Sequence, residues 1–166
     1  GASALDPEAI ERVFEAKGRS RDDPVSLAVP DVAAALEYTR PTERERRFMR
    51  ELLPGPVTVV VERRASVPDV LTTGSDRVGV RIPDHPVALE LLDGVSPVTA
   101  TSANRSGAGS VTHPDQLDPD LHAGVAAVID AGDTPGTEST VVDPGEGTIH
   151  RRGANADAVE AWLADH

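Results

Sequence analysis

Lysine occurs once in this 166-residue sequence, at Lys17, inside the run Lys17-Gly18-Arg19-Ser20-Arg21, and the other fifteen of its sixteen basic residues are arginine. A compact ammonium on a flexible stem beside two planar guanidinium forks is suited to a polyphosphate, which accepts both kinds of contact. The plain alternative is a lysine that survived by chance in a lysine-poor protein. Two polar glycine-containing loops, Thr101 to Gly109 and Gly132 to Ser139, follow apolar runs. In open α/β sheets, such loops lie beyond strand ends, where amides and short hydroxyl side chains meet anions. Ser102, Asn104, Ser106, Ser139 and Thr140 are the small polar residues there, although Ser, Asn and Gly also simply make turns. Arg81 sits in an alternating strand before Pro83-Asp84-His85-Pro86, where it clamps a carboxylate ligand or pairs with Asp84. Arg151 raises the same choice.

Other chemistries are excluded by what is missing. There is no cysteine, hence no disulfide, thiolate nucleophile or cysteine-held metal. The five histidines show no metal-ligand spacing, and neither nucleotide fingerprint nor the Gly-x-Ser-x-Gly hydrolase elbow occurs. A net charge of −12 opposes unassisted binding to nucleic acid or anionic membrane. Acidity with scarce lysine suggests a halophile-like surface. No signal peptide or long apolar run is present, so the chain reads as soluble and cytoplasmic.

The elements that must position these residues alternate. Helices are expected from Asp6-Pro7 to Gly18, from Asp31, from Thr42 with a Glu45 capping box, over 85–92 and over 157–164. Strands are expected over 24–29, 57–62, 78–82, 97–101, 124–130, 139–143 and 148–151. The arginines at 44, 46, 47 and 50, mixed with Glu43, Glu45 and Glu51, read as a solvated helix face. The fold class is α/β, a twisted open mixed sheet with helices packed around it, in one domain over 1–166. Phe14, Phe48, Tyr38 and Trp162 are the only aromatics, so the core is aliphatic.

Five ordered segments carry a resemblance: Lys17-Gly18-Arg19-x-Arg21-x-x-Pro24, Leu53-Pro54-Gly55-Pro56-Val57-Thr58, Val78-Gly79-Val80-Arg81-Ile82-Pro83-Asp84-His85-Pro86, Thr101-Ser102-Ala103-Asn104-x-Ser106-Gly107 and Glu138-Ser139-Thr140-Val141-Val142. In order and spacing the chain resembles the YrdC-like threonylcarbamoyl-adenylate synthases, from the first helix to Arg151-x-Gly153. The resemblance implies a nucleotidyltransferase that makes L-threonylcarbamoyl-adenylate and pyrophosphate from L-threonine, bicarbonate or CO2, and ATP, for N6-threonylcarbamoyladenosine in tRNA. It implies Lys17, Arg19, Ser102 and Asn104 as catalytic residues. It places Lys17, Arg19, Arg21, Asn104, Thr112 and Arg151 at the nucleotide, and Arg81, Ser102 and Ser139 at threonine. Mg2+ would arrive with ATP rather than in a protein cage. Implied partners are proteins that transfer the threonylcarbamoyl group to tRNA, with at most a weak tRNA contact and no membrane.

The sequence departs from the family at three places. Leu53 stands where relatives usually have tryptophan, and Ala28 where many have histidine. Relatives also begin with a strand carrying Pro-Thr-[Asp/Glu]-Thr-x-Tyr-Gly-Leu, whose threonine and tyrosine line the pocket. This sequence opens just after it at Gly1-Ala2, so an N-terminal truncation is expected. The rival readings are a carbamoyl-adenylate-forming relative and an RNA-binding module of the same fold without catalysis.

Overall fold

A computed structural model describes residues 1–166. Helix α1 (Pro7–Lys17) starts where Asp6 accepts from the Glu8 and Ala9 amides, at 2.9 and 3.3 Å, and stops at Gly18, which adopts a left-handed φ of 58°. A side-chain cap at the start and a glycine just past the end are the local chemistry of a helix with fixed bounds. Strand β1 (Ser26–Ala28) and helix α2 (Val32–Tyr38), capped by Asp31, follow. Helix α3 (Glu43–Leu52) carries the expected capping box between Thr42 and Glu45. Then come β2 (Val57–Glu62), α4 (Asp69–Thr72), β3 (Arg77–Arg81), α5 (Pro86–Val95) and β4 (Val98–Ala100). A 3₁₀ turn (Pro114–Gln116), α6 (Pro119–Ala123), β5 (Thr140–Asp143), β6 (Thr148–Arg151) and α7 (Ala156–Asp165) complete the chain.

The six strands form one sheet in the order β4-β1-β3-β2-β5-β6. β1 runs parallel to β3 and β2 to β5, while the other pairs are antiparallel, so the sheet is mixed and open as expected. Period-two alternation divides its residues. Leu27, Val57, Val59, Val61, Val78, Val80 and Val142 join the buried core with Ile10 and Phe14 of α1, Phe48 and Met49 of α3, and Val159 and Trp162 of α7. The alternate residues of the same strands, Ser26, Ala28, Thr58, Gly79, Arg81 and Val141, border a cavity instead.

Two expectations fail. No strand forms over 124–130; residues 125–138 carry neither helix nor strand, and Val125, Val128 and Ile129 are exposed. An apolar β-branched run supplies side chains for a strand, but a strand also needs a paired neighbour, and none flanks this segment. Glu45 does not belong to a solvated face: it is buried and pairs with Arg77 of β3.

That pair is part of a triad. One Arg77 nitrogen, Nη2, lies 2.8 Å from Glu45 Oε1 and 2.6 Å from Asp143 Oδ2, and donates to the Val60 carbonyl at 3.0 Å. Glu45 also accepts from the Thr42 amide at 2.6 Å and Asp143 from the Glu146 amide at 3.0 Å. Burial alone would lower the pKa of Arg77, but the hydrogen bond it donates to Glu45 and the charge of Asp143 outweigh it and raise the value. The triad therefore ties α3, β3 and the β5–β6 turn together at one end of the cavity-bearing face. Removing the cation would leave two carboxylates facing one another without compensation. Arg77→Met is expected to destabilise the fold by about 3 kcal/mol, the lower part of the range for breaking a buried pair because Arg77 keeps some solvent contact. Urea unfolding measures this; a loss under about 0.5 kcal/mol would show that the triad contributes little.

Candidate active site

The cavity measures about 1100 Å³ and gathers residues from segments far apart in sequence, among them Lys17, Arg19, Arg81, Ser102, Asn104, Ser139 and Arg151. Lys17 closes one side. Its side chain leaves α1 at the last turn and is only 4% exposed. The ammonium donates to the carbonyls of Ser102 at 2.6 Å and Asn104 at 2.5 Å, and the Ser106 amide returns a hydrogen bond to the Lys17 carbonyl at 2.9 Å. The reading of Lys17 as a surface survivor is thereby excluded. An ammonium has three donors, so two bonds to the loop leave one for a ligand in the cavity. Burial, then the neighbouring Arg19 charge, lowers the Lys17 pKa.

Arg19 borders the cavity with its guanidinium braced on the carbonyls of Asp23 and Pro24, both at 3.0 Å. Asn104 is fastened by its amide, which donates to Arg105 O at 2.9 Å and Ala108 O at 2.5 Å. Its Oδ1 is buried without any donor. An unmet acceptor of this kind costs roughly 1–3 kcal/mol, which a ligand N–H or O–H would recover.

Arg81 occupies the floor. Only the Val57 carbonyl, 3.3 Å away, accepts from it, and no carboxylate lies within ion-pair distance, so the alternative pairing with Asp84 does not form. Burial, then the nearby Arg151 charge, lowers its pKa. A partly buried guanidinium beside another cation is a site for an anion. Gly79 makes the floor possible, because a Cβ there would sit 2.5 Å from Ser26 Oγ and 3.0 Å from Thr58 Cγ2.

On the far wall, Ser139 Oγ lies 2.8 Å from Thr58 Oγ1 and accepts from Arg151 Nη2 at 3.1 Å. Arg151 also donates to the Ser139 carbonyl, at 3.1 and 2.9 Å, and lies 3.3 Å from Glu138. Gly153 allows this approach, since a Cβ there would come within 2.6 Å of the Ser139 carbonyl carbon and oxygen.

Three expected residues lie elsewhere. Thr140, next to Ser139 on β5, faces the opposite side of the sheet, is fully buried and donates its hydroxyl to the Ala154 carbonyl at 2.8 Å. Arg21 pairs with Glu11, lies 3.9 Å from Glu15 and covers the Phe14 ring at 5.2 Å, outside the cavity. Gly18 turns the chain at the helix end, so residues two apart no longer share a direction. Thr112 is also outside, with its amide and hydroxyl donating to Gln116 Oε1 at 3.0 and 3.1 Å. Thr58, Ser26, Arg77 and His150 border the cavity and were not singled out as site residues. Thr58 alone had a signal, its place in the Leu53–Thr58 segment. No group of three or more His, Asp or Glu residues is arranged to hold a metal ion. No helix is long and apolar enough to cross a membrane.

The family model for Sua5, YciO and YrdC proteins, described as "Telomere recombination", matches residues 1–153. The chain belongs to this family. It is 40% identical over 147 residues to the threonylcarbamoyl-AMP synthase of Pyrococcus abyssi, covering 86% of this chain and 43% of that protein. To the threonylcarbamoyl-AMP synthase of Bacillus subtilis it is 36% identical, with 86% and 42% covered. The crystal structure of P. abyssi Sua5 complexed with L-threonine superposes with a TM-score of 0.85 at 37% identity, over 92% of this chain and 46% of that one. The chain thus spans less than half the length of these relatives.

Replacing Lys17 tests how the site is built. A planar guanidinium cannot reproduce both bonds of 2.5–2.6 Å that the compact ammonium makes to the two carbonyls. Lys17→Arg should lose about 2 kcal/mol of charge-assisted hydrogen bonding, a fall in Tm of about 4–8 °C for a domain of this size. A melting temperature within about 1 °C of wild type would show that the ammonium is not a structural staple.

Proposed function

We propose that this domain makes L-threonylcarbamoyl-adenylate and pyrophosphate from L-threonine, bicarbonate or CO2, and ATP. The observation that carries the reading is the sharing of one cavity by two unlike anion sites: Lys17, Arg19 and the Ser102–Ser106 loop at one side, and the unpaired Arg81 with Ser139 on the floor and far wall. The first suits a triphosphate; the second suits a free amino-acid carboxylate. The names of the relatives support the same assignment.

In this reading the threonine amine captures CO2 as a carbamate, and a carbamate oxygen attacks the α-phosphorus in line. The bond from the α-phosphorus to the bridging oxygen breaks, and pyrophosphate leaves. No side chain need form a covalent bond. Catalysis then rests on alignment and on cations facing the phosphate oxygens as charge moves toward the leaving group. The remaining Lys17 donor and Arg19 face those oxygens, Asn104 Oδ1 accepts from a ligand donor, and Arg81 fixes threonine through its carboxylate. Arg151, anchored on Ser139, links the amino-acid and nucleotide sides. Mg2+ enters with ATP. The product is passed to proteins that place the threonylcarbamoyl group on a tRNA adenosine. A direct RNA-binding role is disfavoured because several surface arginines are matched by acids, as in Arg47 with Glu51, Arg50 with Glu43 and Arg152 with Glu160.

The test is pyrophosphate release with each substrate omitted in turn. Release is expected only when ATP, threonine and bicarbonate are all present, and undiminished release without threonine or without bicarbonate would overturn the reading. The two sides of the cavity can also be separated. Arg81→Lys keeps a charge but loses the planar fork, so threonine affinity should fall by roughly 10- to 100-fold, the value of one charge-assisted contact. ATP affinity should change by less than about 3-fold. Calorimetric titration of both ligands decides it, and intact threonine affinity beside weakened ATP would put Arg81 on the wrong ligand.

A further inference from the structure

Strands β5 and β6 pair Val141 with Arg151 and Val142 with Ile149, which leaves His150 as the extra residue of a β-bulge. Neighbouring residues on a regular strand point to opposite faces. Here His150 and Arg151 both border the cavity. Re-aiming a side chain beside a site is what bulges do. Arg151 is held by Ser139 and Glu138, whereas the His150 side chain is exposed and makes no hydrogen bond or ion pair.

The composition of the cavity wall sharpens this. No Phe, Tyr or Trp borders the cavity. Phe14, Phe48 and Trp162 are spent in the core, and Tyr38 packs against it from α2. The imidazole of His150 is therefore the one aromatic ring available to a ligand. A nucleotide brings a flat base as well as phosphates, and bases are held by stacking on aromatic planes, histidine included. Ser106 and Ser110, from the loop that Lys17 holds, border the same cavity, and Thr134 ties that loop to the segment before β5 by donating its amide to the Thr112 carbonyl at 2.8 Å. A nucleoside triphosphate anchored near Lys17 thus shares its cavity with His150 of β6.

We propose that His150, turned into the cavity by the bulge, is the platform on which the purine base of the nucleotide stacks. This rests on the adenylate-forming reading of the cavity and adds to it the residue that recognises the base. Calorimetric titration of Mg-ATP and of Mg-tripolyphosphate, which has the phosphates without the base, separates the two ideas. Against wild type, His150→Ala should weaken ATP on the order of 10-fold, the value of one stacked base, and leave tripolyphosphate unchanged. His150→Phe, which restores a ring without its nitrogens, should recover ATP affinity. Unchanged ATP affinity in His150→Ala overturns the proposal alone, as does equal weakening of both ligands, which would make His150 a phosphate contact. A wild-type protein that binds neither ligand overturns the proposal together with the adenylate-forming reading.

Discussion

A single buried ammonium organises this cavity. Loop 101–109 contains no helix or strand, so no backbone ladder fixes it. Its position depends on Lys17, which reaches from the end of α1 to the carbonyls of Ser102 and Asn104, 85 and 87 residues away. A buried charge is tolerable only when its donors are met, and two short bonds to backbone oxygens meet most of that need. The contact is mutual, because the Ser106 amide bonds back to the Lys17 carbonyl. Arginine, abundant elsewhere, could not take this place: its fork is planar and its charge spread over three nitrogens. The one lysine in the chain is explained by a gap that admits only a point charge.

The rest of the site follows from the sheet. Alternation gives one set of side chains to an aliphatic core and leaves the other to line a polar cavity, so the same strands stabilise the fold and supply its chemistry. The cost of facing polar groups inward is limited by pairing at the end of that face, where Arg77 neutralises part of the charge of Glu45 and Asp143. Arg81, two positions beyond Gly79 on the same strand, is left without an acid. This contrast between two arginines four residues apart is the reason Arg81 is the candidate for a ligand anion. One is paired with two carboxylates and structural. The other is available.

Local chemistry was legible in the sequence. The Asp6 and Thr42 caps, the Gly18 terminator and the β-branched run of β2 each depend on neighbours within a few residues, and each element stands where its pattern put it. Non-local pairing was not legible. The apolar run 124–130 had the composition of a strand and found no partner, while Glu45, spaced like its solvated neighbours, met Arg77 from another element. Helices α4 and α6 are only four and five residues long, too short for a periodic pattern to appear. For the site, the ordered motifs brought Lys17, Arg19, Arg81, Ser102, Asn104, Ser139 and Arg151 to one cavity. Arg21, Thr112 and Thr140 lie outside it, their directions set by a left-handed turn, by a local bond to Gln116 and by a bond to the Ala154 carbonyl. His150 was hidden because a bulge reverses the facing that strand alternation predicts.

The proposed reaction requires one cavity to hold a triphosphate and an amino acid at once, each on its own cations. A crystal structure of the protein with a non-hydrolysable ATP analogue and L-threonine tests it most directly. Phosphate oxygens are expected within hydrogen-bonding distance of the free Lys17 donor and the threonine carboxylate on Arg81, with the amine turned toward the α-phosphate. Threonine bound at Lys17, or the two ligands in separate cavities, would contradict it.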